Sequence, residues 1–168
     1  MSEYQISAAT PPPGPRPPAG SMLRMLSISP HDEDHESLER IVCGSPSAED
    51  GCPEWELNRA FTPRAAFRAL EQSKIAVVVC ECDLVSGTWR DMLEYVSRLA
   101  DPPLLIVSSR LADEHLWAEA LNRGAFDVIA KPFNTAELIR VLACARQHWM
   151  DRYGLHAKRT EQRKAAMG

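Results

Sequence analysis

Gly124-Ala-Phe-Asp-Val-Ile-Ala-Lys-Pro-Phe133 is a mostly apolar run that closes on a lysine and a proline. It lies at the foot of a helical stretch, and Gly124 is the helix stop. Phe126–Ala130 reads as a buried strand. Lys131 stands where that strand ends, fixed by Pro132, and points a cation into the mouth of a sheet. In α/β proteins with parallel strands, ligands bind at that mouth.

Upstream, the same alternation repeats. Met22–Ser29 is mostly apolar, stops at Pro30 and reads as a first strand. Ser37–Cys43 places Leu38, Ile41 and Val42 at helical spacing, giving a first helix. Gly44–Pro53 is a polar loop, and Glu54–Ala60 a short second strand. Thr62-Pro63 combines an N-cap with proline at the first helical position, so a helix runs to about Ser73 with Phe67 and Leu70 inward. Ile75–Cys80 is an unbroken, valine-rich apolar run, as suits a strand buried on both faces. Ser86-Gly87 turns the chain. Thr88 then caps a helix to about Ala100, with Trp89, Leu93, Val96 and Ala100 inward, and Asp101-Pro102-Pro103 breaks it. Leu104–Val107 is a fourth strand ending at Ser108-Ser109, and Asp113 caps a helix to Arg123. Asn134-Thr135-Ala136-Glu137 resembles a capping box, followed by the stripe Leu138, Val141, Leu142, Ala145 and Trp149. Strands alternating with helices five times predict an α/β fold. The expected architecture is a five-stranded parallel sheet with helices on both faces, a doubly wound three-layer αβα.

The chain has 168 residues, enough for one domain and its ends. Thr10–Ala19 carries six prolines, so residues 1–20 are expected to be a disordered spacer or a ligand for an aromatic groove. The domain is expected over 21–153, and 154–168 as a flexible basic tail, solvated or contacting a partner. Net charge is −4, so no global basic field favours nucleic acid. No apolar run spans a bilayer, and the N-terminus lacks a signal-peptide layout. Five cysteines, an odd count with Cys80 and Cys82 at a buried strand, read as reduced core thiols of a cytoplasmic protein.

The stretch from Pro103 to Phe133 is similar to response-regulator receiver domains of two-component phosphorelays. It has the apolar fourth strand, a serine at its end, and Lys131-Pro132-Phe133 after the fifth strand; the resemblance extends over about Met22 to Trp149. It implies a phosphorylatable aspartate ending the third strand, two acids ending the first strand that help bind magnesium, a switch hydroxyl and the lysine. The cation offsets converging negative charge during attack on a phosphoryl donor, and the lysine is a point charge on the phosphoryl oxygens.

The chain departs from that pattern in three places. The third strand puts Glu81, not aspartate, at the acceptor position; Ser108 holds the hydroxyl position and Lys131 the lysine. Glu81 beside Lys131 makes an ion pair easy to form, which would imitate the phosphorylated state. Asp83 could share its face. At the first strand, two registers stand open. The strand end gives Ser29 and Pro30 the acidic positions; Leu38 and Ile41 give them to Glu33 and Asp34, with an insertion in the loop His31–His35. Asp32, Glu33 and Asp34 could then hold magnesium weakly through waters, or Asp34 could be a helix N-cap. Third, Leu84-Val85-Ser86-Gly87 is a short loop, and Val128 replaces a switching aromatic.

Two readings follow from the resemblance. One is a stand-alone atypical receiver that acts through protein contacts. The other is a phosphorylatable single-domain regulator using Glu81 or Asp83 and a histidine kinase donor. Partners of either kind are proteins: a kinase, a downstream signalling protein, or a second copy through helix four, strand five and helix five. Arg110, Trp117, Arg123, Arg140 and Arg146 fall on that face, and arginine and tryptophan are enriched at binding hot spots. A small α/β enzyme or ligand binder is the third reading. Against it, the chain has no Gly-rich phosphate loop and no nucleophile elbow, so it is not read as an enzyme.

Overall fold

In a computed structural model, the structure describes residues 22–43 and 55–167, and of 154–163 the backbone alone. The Pro-rich segment and the loop Gly44–Pro53 lie outside the described residues. The elements are β1 (Leu23–Ile28), α1 (Asp32–Cys43), β2 (Trp55–Ala60), α2 (Pro63–Gln72), β3 (Val77–Glu81), a small hairpin of β4 (Asp83–Leu84) and β5 (Gly87–Thr88), α3 (Trp89–Ser97), β6 (Leu104–Ser109), α4 (Glu114–Arg123), β7 (Asp127–Ala130) and α5 (Thr135–Ala166). The five long strands form one parallel sheet in the order β2-β1-β3-β6-β7.

Three layers follow from period-two alternation along strands that are apolar on both sides. Leu26, Val78, Cys80, Leu105 and Val107 face α2, α3 and α4, meeting Ala66, Trp89, Met92, Val96, Leu116 and Ala120. Met25, Val77, Val79, Ile106 and Ile129 face α1 and α5, meeting Leu38, Leu138, Val141, Leu142, Ala145 and Trp149. The predicted fold class is therefore the observed one.

The caps act where the sequence places them. Thr62 accepts from Ala65 N–H, Asp113 accepts from Leu116 N–H, and Thr88 with Asp91 closes a capping box. Asn134 accepts from Glu137 N–H, and Gly124 ends α4 at φ 103°, a left-handed conformation that suits glycine.

Helix α5 continues to Ala166, through the stretch expected as a flexible tail, and two further element boundaries differ from expectation. Helix α3 stops at Ser97, three residues before Ala100, which is exposed. Its inner face is Trp89, Met92 and Val96, with Leu93 only partly buried. The other difference is at α1, which starts at Asp32 rather than Ser37. The acidic segment is thus the first turn of a helix, not an inserted loop. The two sequence registers differ by four positions, from Ser29 to Glu33. Four residues make about one α-helical turn, and the acidic residues Asp32, Glu33 and Asp34 occupy the first turn of α1. Three acids there also complement the positive end of the helix dipole.

Candidate functional site

The C-terminal ends of β1, β3, β6 and β7 converge on one buried polar cluster. Glu81 pairs in register with Ser108, and Ser109 with Ala130. Sheet-type bonds continue one residue further: Cys82 N–H donates to Ser108 C=O at 2.9 Å, and Lys131 N–H to Ser109 C=O at 2.9 Å. This ladder aims Lys131 along the strand ends. The Lys131–Pro132 peptide bond is cis.

Lys131 Nζ donates to Asp34 Oδ2 at 2.7 Å and to Glu81 Oε2. Side-chain exposures of Lys131, Asp34 and Glu81 are 5%, 11% and 9%. Glu81 Oε1 accepts from Cys82 N–H at 2.9 Å, so both carboxylate oxygens are engaged. Asp34 also accepts from Ser29 Oγ at 2.6 Å. Asp34 is in the third position of α1, so it does not cap that helix. Burial pushes its carboxyl up, but the hydrogen bonds from Lys131 and Ser29 and the nearby positive charge outweigh burial and hold it below the usual carboxylate range.

A second buried chain supports the first. His35, fully buried, donates from Nε2 to the Ser29 carbonyl at 3.0 Å. Its Nδ1 then accepts from Ser27 Oγ at 2.8 Å. Burial holds the imidazole below its ordinary range, with the Arg59 charge acting the same way and the Ser29 carbonyl, Asp34 and Asp32 opposing. His35 is therefore neutral in the fold. Its contribution is complete above the unfolded value of about 6.5 and is lost as pH falls from there towards the lower folded value. Unfolding free energy should fall as pH drops below about 6.5, read from urea midpoints. His35→Gln should flatten that step, and an unchanged step in the variant would assign it elsewhere.

The sequence candidates separate here. Glu81, Lys131 and Asp34 come together. Ser108 is buried beside Glu81, yet its hydroxyl makes no hydrogen bond among the described residues. Asp32 and Glu33 are exposed on the outer side of the first turn of α1, where Asp32 pairs with Arg59 at 3.2 Å. Asp83 is exposed in the small hairpin. The expectation that Asp32, Glu33, Asp34 and Asp83 form an acidic pocket therefore fails: only Asp34 reaches the site.

The donor set does not fit a magnesium ion. Magnesium demands near-octahedral oxygen coordination, whereas two carboxylates are present and an ammonium already sits between them. Among the described residues no group of three metal-ligating side chains forms.

Sequence reasoning missed Ser27, Ser29 and His35 as supports of the site. A signal existed: His35, Leu38 and Val42 share a helical face once the helix is extended backwards. On the α4–β7–α5 side, Arg110, Arg123 and Arg140 are exposed, and Trp117 is 38% exposed. Arg123 is tied to Glu119, which Arg90 also grips with two nitrogens. Arg146 is only partly exposed, with Nε buried. Leu111 and Leu121, unremarked in the sequence, add exposed apolar surface there.

No protein-family model matches the sequence, and no curated protein matches it. Solved structures do. A signal receiver domain of an HD domain-containing protein from Pseudomonas fluorescens Pf-5 aligns at 18% identity with TM-score 0.66, over 77% of this chain and 98% of that one. The chain has the receiver-domain fold. A CheY-like response regulator receiver domain from Methanospirillum hungatei JF-1 aligns equally well, at 18% identity and TM-score 0.66, over 79% and 99% of the two chains. The receiver domain of a putative Luxo repressor protein from Vibrio parahaemolyticus aligns at 20% identity and TM-score 0.63, over 88% and 99%. In the receiver fold, the Asp34–Lys131–Glu81 cluster occupies the C-terminal end of the sheet, where open α/β sheets bind ligands. Among the described residues, no helix is long and apolar enough to cross a membrane.

Proposed function

We infer that this chain is a receiver-like signalling module held in one state by its own carboxylates. It acts through protein contacts rather than through regulated phosphorylation. One observation carries this reading: Lys131, the cation that would meet a phosphoryl group, is buried between Glu81 and Asp34. Glutamate is one methylene longer than aspartate and delivers a fixed negative charge to that lysine. The capture is partial, because Ser108 stays out of the hydrogen-bond network. The lock therefore works through Lys131 alone.

Transfer to Glu81 or Asp83 is poorly supported. Both oxygens of Glu81 are engaged, the cluster lacks a fitting metal set, and Asp83 is exposed in the small hairpin while Lys131 pairs with Asp34 and Glu81. Contacts are assigned to the α4–β7–α5 side, where Trp117, Leu121 and Leu111 expose apolar surface beside Arg110 and Arg140.

An amide NMR titration with magnesium and then beryllofluoride tests the reading. Wild type should stay silent at Asp34, Glu81, Ser108 and Lys131, while Glu81→Gln should shift resonances at Lys131 and across α4. Saturable wild-type shifts at those four residues would instead make the chain a switchable receiver.

A further inference from the structure

Helix α4 is held to the fold by little apolar area. Leu116 and Ala120 are its buried residues, whereas the neighbouring α3 buries Trp89, Met92 and Val96. Stabilisation by burial scales with apolar area, so α3 is the firmer of the two and α4 the one that needs a second attachment. A salt-bridge network supplies it. Arg90, in the first turn of α3, grips Glu119 of α4 with Nε and Nη2, one on each carboxylate oxygen. Arg123 Nε adds a third bond to Glu119 at 3.0 Å.

Exposed ion pairs are usually weak, and the side chains of Arg90 and Glu119 are 41% and 33% exposed. Two features lift this pair out of that class: its geometry is bidentate, and two arginines share the one carboxylate. Arg90 is also oriented before it reaches α4, because its guanidinium carbon lies 4.9 Å from the centroid of the buried Trp89 ring. An arginine in a first helical turn opposes the helix dipole, so the stability of α3 does not account for it. The foothold is itself fixed. Trp89 N–H donates to the Cys82 carbonyl at 3.3 Å, and Cys82 N–H donates to Glu81 Oε1 and to the Ser108 carbonyl. The start of α3 is thus anchored to the end of β3. Asp91 accepts from Thr88 N–H at 2.7 Å and ties the intervening hairpin to the same turn.

The place of Glu119 on α4 decides what the tie presents. Successive residues advance by about 100° around a helix, so Glu119 lies about 160° from both Trp117 and Leu121. The arginines therefore hold one side of α4, and the exposed apolar pair stands on the other.

We propose that the Arg90–Glu119 pair positions the contact face: it fixes α4 against α3, so that Trp117 and Leu121 are offered to a partner in one arrangement. This deepens the function inferred above and rests on its assignment of contacts to the α4 side, but not on the state of Lys131.

Amide hydrogen exchange and fluorine NMR of the full chain, labelled with 5-fluorotryptophan, test the pair. The Trp117 resonance is assigned by its loss in Trp117→Phe. Arg90→Met and Glu119→Ala should each speed exchange along α4 by about fivefold, with the urea midpoint within about 0.5 M of wild type. The double variant should match the single ones, because either change removes the same tie. In Arg90→Met the Trp117 resonance should shift. Arg90 is on another helix, so that shift reports the placement of α4. Glu94→Ala, which breaks the exposed Arg98–Glu94 pair at the end of α3, should leave both readouts as in wild type. An unmoved Trp117 resonance in Arg90→Met would overturn the proposal and reduce the pair to a stabilising contact. Exchange effects that multiply in the double variant would overturn it too, since the two residues would then act separately. A response of wild type to magnesium and beryllofluoride would refute the lock at Lys131 and leave this result standing, so the two failures are told apart.

Discussion

Lys131→Met should lower the unfolding free energy by about 3–5 kcal/mol, because it strands two buried carboxylates without their cation. With a urea dependence of about 2 kcal/mol per molar, the midpoint should drop by about 2 M. The size follows from burial rather than from the ion pair's own strength. Exposed pairs such as Arg98–Glu94 are worth little when broken, since water takes over each partner. Asp34 and Glu81 have no such refuge at 11% and 9% exposure. The same physics predicts a rescue. Lys131→Met combined with Glu81→Leu and Asp34→Asn removes both stranded charges and should recover most of the loss. The amide oxygen introduced by Asp34→Asn can still accept from the Ser29 hydroxyl, and Cys82 N–H keeps the Ser108 carbonyl as its acceptor. A Lys131→Met protein as stable as wild type would show that the carboxylates are not charged and buried together.

Trp89→Ala should cost about 3–5 kcal/mol, the range for deleting a large aromatic from a closed core. Trp89 is the first residue of α3, is fully buried, and packs within the α2–α3–α4 layer. Its Nε1 is buried with no hydrogen-bond partner among the described residues. An indole N–H in that position carries a desolvation cost of about 1–3 kcal/mol. Trp89→Phe should therefore be far milder than Trp89→Ala, with a loss under about 1.5 kcal/mol. Thermal unfolding of the two variants side by side decides it. If Phe is as harmful as Ala, the indole N–H is bound in solution, and the loss of that bond is being read.

The layered fold was legible because its signals are local and redundant. Thr62-Pro63, Thr88, Asp113, Asn134 and Gly124 each mark a helix end by a hydrogen bond or a backbone conformation that few other residues supply. The valine run Val77–Val79 identifies a central strand without help from its neighbours. The end of α3 was misread because Leu99-Ala100 continues the apolar pattern after the helix has stopped. At the site, Glu81 and Lys131 were legible because each ends a strong strand, so register alone brings them together. Asp34 was ambiguous, since a cluster of three acids gives no hint of which one points inward. Its orientation depends on the helix phase, and that phase is set by Leu38 on the sheet. His35 stands out only when α1 is extended back past Ser37, where it joins the face of Leu38, while Ser27 sits inside an apolar strand with no such mark. The exposed leucines Leu111 and Leu121 were equally hidden, as an exposed and a buried leucine look the same in a string of letters.

The acidic first turn of α1 bears on which length changes this element can tolerate. Each residue rotates a helix by about 100°, so one or two extra residues would carry Leu38 off the sheet, whereas four return it to nearly the same azimuth. Indels in α1 should therefore survive in steps of about one turn. Such a step moves the acidic end along the helix axis and leaves the packed face in phase.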